Sequence, residues 1–312
     1  MHGQPEQSVI KALAYFDIFN YPLTQDEIYN YIDKPMAIEV VMATLLQLVE
    51  EKRIFRLGSF YSLQPDVSLR NRRTMGNHKA ETLLKTAYKV GGFLYQFPFV
   101  RGIGISGSLS KNFADQHTDI DFFIITRSNR LWIARTLMHL FKKLTFITGH
   151  QHWYCMNYYI DEEALRIEEQ NIFTATELIT LIPVCGNGTM DNFYNQNNWV
   201  ADYFPHQHVH RQSLLLSRPG LFKRAVEWLF NNRLGNAIDN TLMRITSLRW
   251  KKKEQLHKTN DHGVRMGLCT GKHFARPNPH FFQKKVLDEL NRKLIEIDKT
   301  FGANNVRRVV SS

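Results

Sequence analysis

The chain has 312 residues, a formal net charge of +11, 43% hydrophobic residues and 22% charged residues. These values exclude a disordered or fibrous chain and predict a globular protein of two or three domains. The positive charge predicts attraction to anions, among them nucleotides and nucleic acid, without choosing one. The sequence contains no apolar run long enough for a membrane helix and no secretory signal, so we expect a cytoplasmic protein with no membrane partner.

Residues 6–64 predict three helices followed by a β-hairpin. Thr24 and Glu27 have the spacing of a capping box, which starts the second helix. An apolar stripe with helical spacing predicts the third helix after Pro35. Two short apolar runs around Gly58 and Ser59 predict the hairpin.

This order of elements is typical of a winged helix, whose third helix and wing contact DNA. The stretch 40–46 of the third helix is apolar, however, and offers no Arg, Asn or Gln to contact base edges. We therefore expect weak DNA binding at most, and a packing or partner-binding role for this module.

The central part of the chain predicts a basic helix, then strands separated by a turn and a helix. The basic helix covers residues 67–96, the strands cover 99–108, 119–125 and 154–160, and a second helix covers 131–148. A right-handed crossover would place the third strand beside the second. From residue 171 onward the pattern is mainly helical.

We therefore predict an α/β (α+β) fold with a short mixed sheet. Its expected parts are a winged-helix-like module at 1–66, a core with its leading basic helix at 67–165, and a C-terminal helical region at 166–312. Cys155, Cys185 and Cys269 are far apart and form no CxxC pair, so we expect reduced thiols.

Gly107 and Ser108 follow the first central strand, and Asp119 and Asp121 are predicted to lie on the second. A glycine at such a turn lets a phosphate approach the backbone closely, and Ser108 adds a hydroxyl donor. Period-2 geometry puts both carboxylates on one face, where they repel each other unless a cation neutralises them. Mg²⁺ suits this pair because it takes one or two carboxylates together with substrate phosphates.

A Gly-Ser pair, a spacer of about ten residues and an Asp-apolar-Asp-apolar strand resemble the signature of the DNA-polymerase-β-like nucleotidyltransferases. The resemblance covers about residues 100–160. It implies Mg²⁺ or Mn²⁺ at a catalytic pair formed by Asp119 and Asp121. It also implies that a nucleoside triphosphate is bound by Gly107, Ser108, Ser110 and Lys111.

More loosely, the whole chain is similar to bacterial nucleotidyltransferase-domain proteins with an N-terminal winged-helix-like module. The similarity lies in the stretches 15–24 and 171–177. It implies no particular acceptor.

Many members of this superfamily have a third carboxylate on the strand after the helix, where this chain has Asn157. An asparagine can bind a metal through its carbonyl oxygen but adds no charge. Asn157 is therefore assigned as the third metal ligand, while the catalytic base stays open. Asp161 at the end of that strand and Glu177 on a later helix are other acidic candidates. An equal alternative is that Asn157 only hydrogen-bonds backbone in the core.

The expected function is transfer of a nucleoside monophosphate from a nucleoside triphosphate to an acceptor, with release of pyrophosphate. The acceptor could be nucleic acid, protein or a small molecule. The alternatives are a nucleotide-sensing DNA-binding regulator, a catalytically inactive scaffold, and an ordinary loop with two surface aspartates. His206, His208 and His210 alternate in sequence and could bind zinc on a strand, although their surroundings favour an exposed loop.

Overall fold

The computed structural model describes residues 3–145, 151–207, 218–259, 265 and 267–310, without the side chains of 151 and 301–310. Within these residues the chain forms a mixed α/β structure with eleven α-helices, a three-stranded sheet and a six-stranded sheet. The predicted fold class is therefore confirmed. No helix within the described ranges is long and apolar enough to cross a membrane.

The N-terminal part contains the three helices and the hairpin that the sequence predicts. The helices are α1 (Gln4–Asp17), α2 (Gln25–Tyr31) and α3 (Ile38–Glu50), and the strands are β1 (Leu23–Thr24), β2 (Phe55–Leu57) and β3 (Phe60–Ser62). The capping box is present, because the Glu27 amide donates to Thr24 Oγ1 and the Thr24 amide donates to Glu27 Oε2. Gly58 turns the hairpin with a φ of 72°.

The core of this N-terminal module extends beyond it in sequence. Val286 and Leu290 of the last helix are buried against the apolar faces of α1, α2 and α3. Phe113, from the central part of the chain, joins the same cluster. The module is therefore packed onto the rest of the molecule through shared side chains.

The central part begins with a long helix and continues into the strands of the main sheet. Its elements are α4 (Ser68–Leu94), β4 (Val100–Ser106), the single-turn α5 (Gly107–Ser110), β5 (Asp121–Thr126), α6 (Leu131–Thr145) and β6 (Cys155–Asp161). β4 and β5 are antiparallel, whereas β5 and β6 are parallel neighbours joined through α6. The predicted position of the third central strand beside the second is confirmed.

The C-terminal part is less purely helical than the sequence predicts. It contains α7 (Ile172–Thr180), β7 (Ile182–Cys185), α8 (Asn187–Gln196), α9 (Leu221–Phe230), α10 (Arg233–Gln255), β8 (Leu268–Thr270), β9 (Phe274–Pro277) and α11 (Phe282–Val310). The order of the main sheet is β7-β4-β5-β6-β9-β8, so three of its strands come from this part. Strands of three or four residues are too short to show a period-2 pattern, which is why the sequence did not reveal them.

Candidate functional site

The turn after β4 requires a glycine for two reasons. Gly107 has a φ of 72°, a conformation that side chains with a Cβ rarely adopt. A Cβ at this position would lie 2.4 Å from Asp121 Oδ2, because Ser106 and Asp121 are register partners on β4 and β5. The carboxylate of Asp121 therefore lies directly against the Gly107 turn.

Asp119 precedes β5 and does not lie on it, since the strand begins at Asp121. The sequence prediction of a strand from residue 119 is wrong by two residues. The two carboxylates nevertheless line one cleft of about 500 Å³, and the intervening Ile120 is fully buried in the core. The two acidic side chains therefore lie in one cleft as predicted, although Asp119 is positioned by a loop and not by the strand.

Burial at the floor of the cleft raises the pKa of the Asp121 carboxyl to about 6. The negative charges of Asp119 and Glu177 contribute to this rise in pKa, while a hydrogen bond from the Cys155 thiol and the charge of Lys111 oppose it. An apo protein at neutral pH therefore keeps two repelling carboxylates close together, an arrangement that a bound cation would relieve.

Asn157 lies in the same cleft, as the sequence predicts. Phe122 pairs with Met156 and Phe123 pairs with Tyr158, so Asn157 is the extra residue at an irregularity of β6. Its Nδ2 is 3.4 Å from Asp121 Oδ1 and 2.9 Å from Cys155 Sγ. Asn157 and Asp121 are therefore close enough to bind one metal ion together. The role of Asn157 as a metal ligand stays a prediction.

The other two acidic candidates lie in different places. Asp161 is fully buried at the far end of β6, where it accepts hydrogen bonds from the amides of Asn129 and Glu163. Glu177 of α7 reaches the cleft region and forms an ion pair with Lys111, with Nζ and Oε1 2.8 Å apart. Glu177 therefore approaches the site from α7, through its ion pair with Lys111.

Ser110 and Lys111 stabilise the Gly107 turn through hydrogen bonds to its carbonyl. Ser110 Oγ donates to the Gly107 carbonyl at 2.9 Å, and Lys111 Nζ donates to the same carbonyl at 3.0 Å. The Lys111 carbonyl in turn accepts a hydrogen bond from the Tyr21 hydroxyl of the N-terminal module. In this structure both residues brace the glycine turn, and direct nucleotide contact by them stays a prediction.

Two residues that sequence reasoning did not assign to the site contact the acidic pair. His152 Nδ1 lies 2.7 Å from Asp119 Oδ1, on the short helical turn before β6. Burial, with the nearby Asp121 charge, raises the pKa of the Cys155 thiol to about 12, so the thiol stays protonated and can donate to Asp121. The signal for Cys155 was its position at the start of the third central strand, where it pairs with Asp121, and His152 lies three residues before it.

The donors in the cleft fit Mg²⁺ better than a transition metal. No group of three or more His, Cys, Asp or Glu side chains with metal-binding geometry occurs in the described part of the chain. Asp115 also lines the cleft, but its carboxylate accepts hydrogen bonds from the His117 amide and the Thr118 hydroxyl. The remaining donors are the carboxylates of Asp119 and Asp121 and the amide of Asn157, and the hard oxygen donors of water and phosphate would complete the coordination of an ion there. The close contact of Asp121 with the Gly107 turn places such an ion next to the backbone that would meet a phosphate.

The histidine zinc site is not supported where it can be described. His206 Nε2 accepts a hydrogen bond from the Met36 amide at 3.1 Å, and its ring stacks on Tyr29 at 4.2 Å. His208 and His210 lie outside the described residues. His206 therefore serves to pack the N-terminal module against the C-terminal part.

The three cysteines are free thiols, as predicted.

Comparison of the chain with protein-family models, with curated proteins and with solved structures found no significant match.

Proposed function

We propose that the protein is a metal-dependent nucleotidyltransferase that moves a nucleoside monophosphate from a nucleoside triphosphate to an acceptor and releases pyrophosphate. The observation that carries the proposal is the contact between the Asp121 carboxylate and the Gly107 turn. The contact puts the carboxylate pair that we propose to bind the metal next to the turn that we propose to accommodate a phosphate. The resemblance of the 107–122 segment to the polymerase-β-like signature supports the same reaction.

Each side chain has a role that follows from its position. Asp119 and Asp121, with the Asn157 amide, would hold Mg²⁺, which would supply neutralisation of phosphate charge and orientation of the leaving pyrophosphate. Ser108 lines the cleft, so its hydroxyl can donate to a phosphate oxygen. Lys111, neutralised by Glu177, keeps the turn in place. Catalysis would thus rest on positioning and charge, as is usual for phosphoryl and nucleotidyl transfer.

The DNA-binding alternative receives no support from α3. Its solvent face includes the apolar side chains of Val40, Met42 and Leu46, which are between 42% and 60% exposed. The helix contains Glu39 and Glu50 but no Arg or Lys. A helix of this composition lacks the cations that neutralise phosphates, and its one amide side chain, Gln47, donates hydrogen bonds to Glu6 and Glu51.

The test is a transfer assay with each of the four nucleoside triphosphates and Mg²⁺. Candidate acceptors are nucleic acid, small metabolites and the protein itself, and mass spectrometry would detect the added nucleoside monophosphate while a coupled assay detects pyrophosphate. We expect transfer with the wild-type protein and none with the Asp119→Asn/Asp121→Asn variant. Nucleotide binding without pyrophosphate release under any condition would favour the inactive scaffold.

A further inference from the structure

We infer that the nucleobase of the triphosphate substrate stacks in an aromatic cavity that the N-terminal module and the last helix build beside the acidic cleft. This inference rests on the proposed function and adds a base-binding site to it. It also gives the winged-helix-like module a role as a wall of the substrate site.

The cavity has a volume of about 440 Å³, within the range of small-molecule sites. Ser108 and Asp121 line both this cavity and the acidic cleft, so the two spaces meet at the glycine turn. The walls of the cavity include seven aromatic side chains from four segments of the chain, among them Phe19, Tyr21, Phe113, Phe173 and Phe282. A ligand with its phosphates at Asp121 would extend its other end toward these rings.

The lining chemistry matches a nucleobase. Aromatic rings offer flat apolar surfaces on which any base can stack, and such stacking is sequence-tolerant. The same lining has charged groups of both signs, among them Glu177 and Arg72, and such groups can hydrogen-bond the polar edge of a base. The guanidinium of Arg72 lies 4.4 Å from the Phe113 ring centroid, so this cation is itself stacked at the cavity.

The space on the other side of the acidic cleft has a different character. A cavity of about 750 Å³ continues from Asp119 past Lys79, His78 and His152. Its lining is more polar, and Trp153 is its single aromatic residue other than histidine among the described residues. This composition suits a polyanion or an acceptor better than a stacked base, and it makes Trp153 the competing stacking partner.

Contacts between the N-terminal, central and C-terminal parts of the chain hold the walls of the aromatic cavity in position. Lys293 of α11 forms an ion pair with Asp17 of α1 at 2.6 Å. Arg73 of α4 stacks on the Tyr21 ring at 3.7 Å and forms an ion pair with Glu27 at 2.7 Å. These contacts pre-organise the walls, so a base would meet rings that are already in place.

The experiment compares a triphosphate with a probe that has no base. Isothermal titration would measure the affinity of the full chain for Mg²⁺–ATP, its three counterparts and Mg²⁺–tripolyphosphate. The variants are Phe19→Ala and Phe282→Ala, which remove partly exposed rings, and Phe282→Leu, which keeps apolar bulk without a ring. Phe222→Ala on α9 is the matched control, because this ring is 63% exposed and lines neither cavity.

We expect each of the three cavity variants to weaken the best nucleotide by roughly 5- to 150-fold, the range for losing one base–aromatic stack. Affinity for Mg²⁺–tripolyphosphate should stay unchanged in them, and Phe222→Ala and Trp153→Ala should change neither affinity. An unchanged nucleotide affinity in the cavity variants, or a loss with Trp153→Ala instead, overturns the base site while leaving the proposed function standing. Failure of the wild-type protein to bind either probe with Mg²⁺ overturns both.

Discussion

The two ends of the β5–β6 pair each carry a carboxylate, and the two carboxylates are treated in opposite ways. At one end Asp161 is fully buried and accepts hydrogen bonds from two backbone amides. A third contact is made by His273, whose Nδ1 lies 2.9 Å from Asp161 Oδ2. At the other end Asp121 faces an open cleft beside the like charge of Asp119.

The difference between the surroundings of Asp121 and Asp161 indicates which of the two carboxylates stabilises the fold. Buried carboxylates that stabilise a fold have their acceptor capacity filled by donors, as Asp161 has. A carboxylate whose pKa is raised by burial and by like charge costs stability, and such costs are typical of functional sites. On this comparison we assign Asp161 a structural role, and we propose that Asp121 binds a ligand.

The largest expected effect is on ligand binding at the cleft end. Asp119→Asn/Asp121→Asn should weaken Mg²⁺-dependent nucleotide binding by roughly 100-fold or more, because direct metal ligands matter at least as much as their supporting partners. Calorimetry with Mg²⁺–ATP would measure this. Asp191→Asn/Asp202→Asn removes the same charge from exposed sites outside the cleft and should bind as the wild type does. Unchanged affinity in the first variant would contradict the site assignment.

The opposite end should respond in stability. Asp161→Ala leaves the amides of Asn129 and Glu163 without their acceptor, and the free energy of unfolding should fall by roughly 1.5–3 kcal/mol, the range for a hydrogen bond to a charged group. Thermal or urea unfolding should show a loss of a few kcal/mol, with part recovered in Asp161→Asn because the amide keeps one acceptor oxygen. A Tm equal to that of the wild type would remove the structural role assigned to this residue.

Asp121→Asn should have the reverse effect on the metal-free protein. The pKa of this carboxyl rises from 3.8 to about 6 on folding, so between these values the folded state binds the proton more tightly than the unfolded chain. Ionisation therefore costs stability as the pH rises from about 4 to 6, and the full cost persists above 6. The variant should gain a few degrees in Tm at pH 7, and the gain should vanish near pH 4.

Thermal unfolding in EDTA across this pH range checks the prediction. A Tm gain that does not change with pH would show that the gain has a cause other than the Asp121 charge. A lower Tm for Asp121→Asn at pH 7 would place Asp121 with Asp161 among the structural carboxylates.

The smallest expected effect concerns Asn157. Asn157→Asp adds a third negative charge to the cleft, so we expect Mg²⁺ affinity to rise by a few-fold to about tenfold. Asn157→Ala, which removes the amide, should lower it. Titration of Mg²⁺ into the nucleotide-free protein measures both, and weaker Mg²⁺ binding by the aspartate variant would count against a ligand role even though Asn157 lies in the cleft.

Local features of this protein were predictable because they depend on residues close in sequence. The capping box spans three residues, the Gly58 hairpin spans two strands of three residues, and both form as predicted. The order of strand, glycine turn and acidic segment also followed from the sequence, which brought Asp121 to the Gly107 turn through the antiparallel pairing of β4 with β5.

Features that join distant residues were decided only by the tertiary structure. β7 and β9 are part of the main sheet because they pair with the outer edges of β4 and β6. The short sequences of β7 and β9 themselves have no strand periodicity. The same holds for the aromatic cavity, whose Phe19 and Phe282 come from the two ends of the chain. Local periodicity determines helices and strands, but the packing of buried side chains determines which distant surfaces meet, and no single segment carries that information.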